Sequence, residues 1–290
     1  MVVMDFSGVY LKQTFWKKAE ADTDDPRQVK AREEEGEPVV LDLQGLHGTS
    51  CYCDEEARKD LLSRIALLPI QDIHFLDSGN YHYLTRLWAG QIQNAFQLVV
   101  FDHHTDMQPP AFGGLLSCGG WLDSLILEVP LLQSVLLVGP PKDDFEAAGE
   151  EARAKTALLS EEALSEVFPD PDIYCTGLSS QADTGLADVP SALRPDIFFR
   201  EHLLPRVPVY LSVDKDILSE KVLKTNWSQG CTDRDTFFRM LSTLFQQMEN
   251  AGCVLLGADI CGEDSPDHPE SFPAHDRINR ELWEEIRRYL

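Results

Sequence analysis

Two clusters of acidic residues and histidine directly follow apolar segments of the sequence. In QLVVFDHHTDM (97–107) the apolar run is followed by Asp102, His104 and Asp106 at every second position, and in VPVYLSVDKDI (207–217) it is followed by Asp214 and Asp216. Side chains of an extended chain alternate with a period of two, so Asp102, His104 and Asp106 are expected on one side. Buried carboxylates this close repel one another and need protonation or a cation. A single Asp in this position is usually a turn residue or an N-cap, but two such clusters favour a metal site.

Two further apolar segments end in residues of the same chemical types. DIHFL (72–76) is followed by a turn that contains His82, and CVLLGAD (253–259) leads into Glu263. Acidic or imidazole side chains therefore follow four apolar segments of the chain.

The elements that must position these residues are predicted to form a three-layer α/β/α fold with a mainly parallel central sheet. Strands are predicted at 38–43, 72–76, 97–101, 134–139, 172–177, 207–213 and 253–259. Apolar residues at helical spacing predict helices at 53–68, 83–96, 160–168, 233–249 and 278–290. Alternation of near-continuous apolar strands with helices is typical of a parallel sheet that is covered on both faces. Such sheets bind ligands at the carboxyl ends of their strands, where the acidic clusters lie.

A single domain that spans residues 1–290 is expected. The chain has 290 residues, of which 43% are hydrophobic, so it can bury a sizeable core. No stretch between the predicted elements resembles a flexible interdomain linker. The polar runs at 21–37 and 263–275 are interpreted as surface excursions.

The composition argues against several classes of partner. A formal net charge of −24 repels the phosphates of nucleic acids and anionic membranes, and it is compatible with a cationic substrate. No run of eighteen apolar residues occurs, and the N-terminus lacks the pattern of a signal peptide, so a cytoplasmic protein is expected. Seven cysteines include Cys51 and Cys53 without a second pair at zinc-ribbon spacing. Reduced thiols are therefore favoured over a structural zinc site.

Three motifs resemble the metal motifs of the arginase/ureohydrolase family. GNYHYL, FDHHTDM and SVDKDIL are similar to the family's Gly-Gly-Asp-His-Ser, Asp-Ala-His-x-Asp and Ser-x-Asp-x-Asp, and they occur in the same order. The resemblance spans residues 70–263 and is greatest to a divergent, arginase-like bacterial branch with an Asp-His-His-x-Asp motif. In the first motif, Asn80 and Tyr81 replace the usual Gly-Asp. The resemblance implies the arginase/deacetylase fold.

The resemblance also implies six ligands around two divalent ions. One ion would be held by His82 and Asp106, the other by His104 and Asp216, and both would be bridged by Asp102 and Asp214. This oxygen-rich set favours two Mn²⁺ ions over one Zn²⁺ ion. Two such metals would lower the pKa of a bound water towards about 7 and so supply a hydroxide nucleophile at neutral pH.

The sequence departs from the family's pattern around the expected substrate. The loop after the second motif, GGLLSCGGWL (113–122), lacks the family's proton-shuttle histidine, and His103, His275 and Cys118 are weak replacements. The family's Asp-x-x-Glu is one residue longer here, and its Glu, Glu263, is expected to contact the cationic part of a substrate.

A substrate loop is expected after the third motif. The family's Thr-Gly-Thr-Pro is absent, and TNWSQG (225–230) stands in its place. Asn226, Trp227 and Gln229 are candidate substrate-binding residues. A small cationic molecule or an arginine-containing peptide would fit an acidic site of this kind.

Three functions are therefore compatible with the sequence. The first is a binuclear manganese hydrolase of a C–N bond in a guanidino or amidino substrate. The second is a mononuclear zinc deacylase of the same fold, which would need only Asp102, His104 and Asp214. The third is a non-catalytic, metal-stabilised binding protein, which the missing histidine suggests. A homo-oligomer is compatible with each of them.

Overall fold

Ten strands in the described part of the chain form one large sheet and one small sheet. The computed structural model describes residues 1–17, 37–109, 114–167 and 194–290. The strands are β1 (Val2–Asp5), β2 (Val39–Asp42), β3 (Tyr52–Cys53), β4 (Ile73–Phe75), β5 (Phe96–Phe101), β6 (Leu116–Ser117), β7 (Leu132–Val138), β8 (Thr156–Leu159), β9 (Val209–Asp214) and β10 (Leu255–Cys261). The large sheet has the order β2-β1-β4-β10-β9-β5-β7-β8. Every neighbouring pair in it is parallel, whereas β3 and β6 pair antiparallel.

Helices connect these strands. The described α-helices are α1 (Glu55–Ile65), α2 (Leu84–Ala89), α3 (Trp121–Glu128), α4 (Lys142–Glu146), α5 (Glu150–Ala154), α6 (Glu161–Val167), α7 (Pro195–His202), α8 (Arg234–Ala251) and α9 (Phe272–Ile286). Local sequence fixes several ends. The Asp54 carboxylate accepts a hydrogen bond from the backbone N–H of Ala57 and caps α1. α8 ends at Gly252, whose φ of 68° suits the left-handed conformation that terminates many helices.

Apolar side chains cover both faces of the large sheet. In β5, Val99 and Phe101 join a buried cluster with residues of α6, α7, α8 and α9. Leu98 and Val100 of the same strand join a second cluster with residues of α1, α2, α3 and α5. Burial on both faces explains why the strands read as continuous apolar runs. The predicted α/β/α fold with a parallel sheet is confirmed.

The predicted elements agree with the structure in type more than in length. Six of the predicted strands have a counterpart, and the seventh, at 172–177, lies outside the described residues. The helix predicted at 83–96 is too long, because it ends at Ala89 and Phe96 already begins β5. The helix predicted at 278–290 begins earlier, at Phe272.

The interpretation of 263–275 as a surface excursion holds for the exposed residues 267–270 and is wrong for the two ends of the run. Glu263, Asp264 and His275 are buried in the structure, because polar partners inside the protein satisfy them. The other polar run, 21–37, lies almost entirely outside the described residues. Among the described helices, none has both the length and the apolar composition that crossing a membrane requires.

Candidate metal centre

The strand order brings the acidic clusters to one edge of the sheet. β5 and β9 are neighbours with Phe101 opposite Val213, so Asp102 and Asp214 leave the sheet side by side. On the other side of β9, the register of β10 places Cys261 opposite Asp214. His82 reaches the same edge from the turn that follows β4.

Asp102, His104 and Asp106 converge, although not by the strand alternation that the sequence suggested. β5 ends at Phe101, and the chain then turns, with Asp106 at a φ of 51°. Asp is one of the few residues that tolerate this left-handed conformation. The turn directs Asp102 and Asp106 towards His82 and His104 towards Asp216.

The imidazole of His82 lies at the centre of three carboxylates. Its Nδ1 atom is 3.2 Å from Asp102 Oδ2, 3.0 Å from Asp106 Oδ2 and 3.5 Å from Asp214 Oδ2. Its Nε2 atom is 2.9 Å from the hydroxyl oxygen of Ser212 in β9. This second contact fixes the ring so that Nδ1 points at the acids, as partners behind metal-binding histidines commonly do.

The imidazole of His104 forms a second, more exposed group. Its Nδ1 atom is 2.8 Å from Asp216 Oδ2 and 3.6 Å from Asp102 Oδ1. Its Nε2 atom is 2.9 Å from the hydroxyl oxygen of Ser228. Because Asp102 contributes one oxygen to each group, the two groups share a carboxylate.

Backbone amides hold the two candidate bridging carboxylates by one oxygen each. Asp102 Oδ1 accepts a hydrogen bond from the N–H of His104, and Asp214 Oδ1 accepts one from the N–H of Asp216. The Oδ2 atoms of both residues face the interior of the cluster. The indole N–H of Trp121 donates to Asp106 Oδ2 and positions the third acid.

Four carboxylates buried together create an excess of negative charge. Burial and the nearby charge of Asp102 raise the pKa of Asp106 to about 6. Burial and the charge of Asp214 raise the pKa of Asp216 well above its usual value. Although burial opposes its charge, hydrogen bonds with Asp102 and Asp216 raise the pKa of His104 to about 11. In the protein alone, protons supply the positive charge that the cluster requires.

The donor atoms fit a divalent metal. Among the described residues, no donor is aligned for a hydrogen bond with Asp102 Oδ2, which is buried. Three groups have ligand atoms within 4.8 Å of one another: His82 with Asp102 and Asp106, Asp102 with His104 and Asp216, and His82 with Asp214 and Cys261. Carboxylate oxygens and imidazole nitrogens are usual ligands of Mn²⁺ and Zn²⁺. All six ligands expected from the sequence therefore occur in these groups.

Cys261 is the member of these groups that sequence reasoning missed. It is buried, and its thiol lies 3.0 Å from Asp214 Oδ2. The sequence did carry a signal, since Cys261 follows Asp259 by two residues at the end of an apolar strand. Only the pairing of β10 with β9 shows that it meets the second acidic cluster.

A cavity of about 600 Å³ opens above the candidate ligand groups. Its floor includes His82, Asp102 and Asp214, and its walls include Cys118 and Trp227. Volumes of roughly 300–1,000 Å³ are usual for sites that bind small molecules.

The comparisons with known proteins identify the fold. No family model matches the sequence. An uncharacterized protein of Thermotoga maritima is 28% identical over 194 residues, which are 67% of this chain and 59% of the relative's length. Formimidoylglutamase from Bacillus subtilis superposes with a TM-score of 0.59 at 13% identity over 98% of this chain and 86% of its own. Proclavaminate amidino hydrolase from Streptomyces clavuligerus gives 0.55 at 18% identity, with coverages of 81% and 70%.

The chain has the fold of the arginase and ureohydrolase family. The Thermotoga protein extends beyond the aligned region, which covers less than two thirds of its length.

Of the three candidate substrate residues, only Trp227 is among the described residues that line the cavity. Its side chain is 41% exposed and its indole N–H donates to Asn80 Oδ1. A Cβ atom on Gly79 would lie 2.7 Å from Trp227 Cδ1, so glycine in the first motif makes room for the indole ring. Asn226 also donates to Asn80, whereas the Gln229 side chain binds backbone groups of its own loop.

Glu263 lies in a different place from the one that the sequence suggested. It is fully buried and is not among the described residues that line the cavity. The ammonium group of Lys215 donates to its carboxylate, as do the side-chain amides of Gln13 and Asn279. Although burial opposes its charge, Lys215 lowers the pKa of Glu263 below its usual value. Its cationic partner is thus a residue of the same chain.

The replacements considered for the missing proton shuttle are also dispersed. Cys118 lines the cavity, but burial and the charge of Asp106 raise the pKa of its thiol to about 12. His275 lies beside Glu263, with its Nε2 atom 2.7 Å from the carbonyl oxygen of Lys224. His103 Nδ1 lies 3.8 Å from Glu161. Among the described residues, the only histidines on the cavity wall are His82 and His104.

Proposed function

We propose that the protein is a metal-dependent hydrolase that cleaves a C–N bond in a small guanidino or amidino compound. The observation that carries this proposal is the pair of ligand groups that share Asp102 at the floor of a cavity. The proteins with similar folds support it, since one is described as an amidino hydrolase and the other as a formimidoylglutamase.

The residues of the site would hold the metal ions, attract a cationic substrate and contact it. Asp102 and Asp214 would bridge two divalent ions, with His82 and Asp106 on one ion and His104 and Asp216 on the other. When bound, such a pair supplies a water of lowered pKa as the nucleophile. Two Mn²⁺ ions are proposed from the oxygen-rich set. The negative floor would attract a cationic substrate, and the ring of Trp227 would offer it a face for cation–π contact.

Metal counting tests the first part of this proposal. Protein loaded with manganese should contain two ions per chain, and Asp102→Asn and Asp214→Asn should each lower that number. Asp144→Asn is the matched control, because Asp144 lines the cavity but belongs to none of the three ligand groups. A count that stays at one in the native protein, unchanged by Asp106→Ala and Asp216→Ala, would contradict a binuclear site.

A panel of guanidino and amidino compounds tests the reaction. Release of urea, ammonia or amine from at least one compound is expected from the manganese-loaded protein and not from Asp102→Asn. A parallel panel of acylated amines with the zinc-loaded protein addresses the deacylase alternative, which stays open for a protein that binds one ion.

A metal-stabilised binding protein is the second candidate. It is supported by the described cavity wall, which offers no histidine beyond the two candidate ligands. This candidate predicts two bound metals, binding of a cationic compound by calorimetry and no turnover across both panels.

A further inference from the structure

We propose that Cys261 is a metal ligand, and that its sulfur makes one of the two metal positions selective for Zn²⁺ over Mn²⁺. The inference rests on the proposed metal-dependent function. It adds a ligand, and a difference between the two positions, that the six-residue set does not contain.

The sulfur of Cys261 is placed among the metal-binding atoms. Cys261 is the last residue of β10, is 1% exposed and pairs in register with Asp214. Its thiol donates to Asp214 Oδ2 over 3.0 Å, and the same oxygen lies 3.5 Å from His82 Nδ1. Cys261 also belongs to the buried apolar cluster on one face of the large sheet.

A second observation points to a ligand at the same place. Asp102 Oδ2 is buried without an aligned donor among the described residues, and it lies 3.2 Å from His82 Nδ1. Cys261 and Asp214 form one ligand group with His82, and Asp102 and Asp106 form another with the same histidine. Nitrogen, oxygen and sulfur donors are therefore available beside His82, and these are the kinds of ligand that Zn²⁺ takes.

The backbone after Cys261 is built to approach the cluster closely. Gly262 has a φ of 88°, and a Cβ atom there would lie 2.4 Å from Asp214 Oδ1 and 2.8 Å from the backbone nitrogen of Lys215. Only glycine fits without displacing these groups. The next residue, Glu263, is held by the buried ammonium group of Lys215. The glycine and the ion pair together keep the end of β10 close to Asp214 and fix the position of the thiol.

The two metal positions would therefore differ in their ligand atoms, because only one of them would include a soft sulfur ligand. Thiolate ligands favour Zn²⁺ and related softer ions, and Mn²⁺ is the weakest binder in the usual order of divalent metals. The group of Asp102, His104 and Asp216 contains only oxygen and nitrogen donors and keeps its suitability for Mn²⁺. A mixed zinc and manganese centre is therefore expected when one equivalent of Zn²⁺ is supplied with an excess of Mn²⁺.

X-ray absorption at the zinc edge tests the ligand directly, without any measurement of activity. Native protein loaded with one equivalent of Zn²⁺ should show a zinc–sulfur shell at about 2.3 Å. The shell should be absent from Cys261→Ser, and the preference for Zn²⁺ over Mn²⁺ in a competition experiment should fall by about tenfold or more.

The double variant Cys51→Ser/Cys118→Ser is the matched control, because these two cysteines line the cavity. It should keep the sulfur shell. Because it retains Cys261, it tests the origin of the sulfur even if Cys261→Ser does not fold. Two bound metals without a sulfur shell in the native protein would overturn the inference and leave the proposed function standing. Loss of the shell in the double variant would overturn it as well. A protein that binds no metal would instead remove the proposed function.

Discussion

Two buried charged clusters lie next to each other in this protein, and they differ in how their charge is balanced. The candidate metal cluster contains four carboxylates and two imidazoles, and one of its buried oxygens has no aligned donor among the described residues. The neighbouring cluster consists of Lys215, Glu263, His275, Asn279 and Gln13. There one ammonium group meets one carboxylate, and the amides and the imidazole satisfy the remaining positions.

The two clusters differ in whether the charges of their buried side chains are balanced within the protein. Lys215 lies in the chain between Asp214 and Asp216, yet its ammonium group points away from both and towards Glu263. A buried charge is stable only when it is paired. The Lys215–Glu263 cluster carries its own counter-charge, whereas the metal cluster needs protons or a cation.

The largest effect is expected from Lys215→Met. Removal of the ammonium group leaves Glu263 buried without a counter-charge, which should lower the free energy of unfolding by about 3–5 kcal/mol. Denaturant unfolding in the presence of a chelator measures this change without a contribution from metal. The double variant Lys215→Met/Glu263→Gln should recover a large part of the loss. A decrease below about 1 kcal/mol in the single variant would mean that Glu263 is not the buried partner described here.

Metal should stabilise the native protein but not Asp102→Asn or Asp214→Asn. A ligand at a hundred times its dissociation constant adds about 2.7 kcal/mol to the free energy of unfolding. Unfolding curves with and without manganese should show this increment for the native protein and for Glu263→Gln, since Glu263 lies outside the metal groups. If Glu263→Gln also loses the increment, the two clusters do not act separately.

The metal-free protein should lose stability as the pH rises from about 4 to 6. Burial and the charge of Asp102 raise the pKa of Asp106 from 3.8 to about 6, so in this range the folded state binds more protons than the unfolded state. The free energy of unfolding then falls with rising pH, by about 2 kcal/mol for this group. Chemical unfolding with a chelator present should show a smaller fall for Asp106→Asn. If the free energy of unfolding fell equally with pH in the two proteins, Asp106 would be excluded as the source of the pH dependence.

The contribution of Glu263 to stability should depend on pH in the opposite direction. Its pKa is lowered in the folded protein by Lys215 against the effect of burial. Its contribution to stability is therefore present above its usual pKa and is lost as the pH falls. Comparison of Glu263→Gln with the native protein below pH 5 should show that loss, and a loss above pH 5 would contradict the assignment.

The smallest effect is expected from the serines behind the two histidines. Ser212→Ala removes the partner of His82 Nε2, which should weaken metal binding by about tenfold, because such partners orient the ligand. Ser228→Ala removes the partner of the more exposed His104 and should have a smaller effect, since water can replace the hydroxyl. Metal titration of both variants measures which loses more affinity. An equal loss would indicate that the greater exposure of His104 does not reduce the effect of its serine.

The sequence by itself determined the type of fold and most of the candidate metal ligands. Strands such as 97–101 and 207–213 are mostly apolar because both faces of a parallel sheet are buried. The acids that follow them lie at its carboxyl edge because that is where parallel strands end. These are local properties of the chain, and a pattern of neighbouring residues therefore records them.

Only the tertiary structure decided which other residues join the site and which do not. Cys261 meets Asp214 because β10 pairs with β9 in one particular register, and Glu263 is withdrawn because Lys215, Gln13 and Asn279 surround it. Residues 13, 215, 263 and 279 are far apart in the chain, so no local pattern brings them together. Gly262, in a left-handed conformation, separates Cys261 beside Asp214 from Glu263 in the buried ion pair. That distinction depends on contacts that form only when the chain has folded.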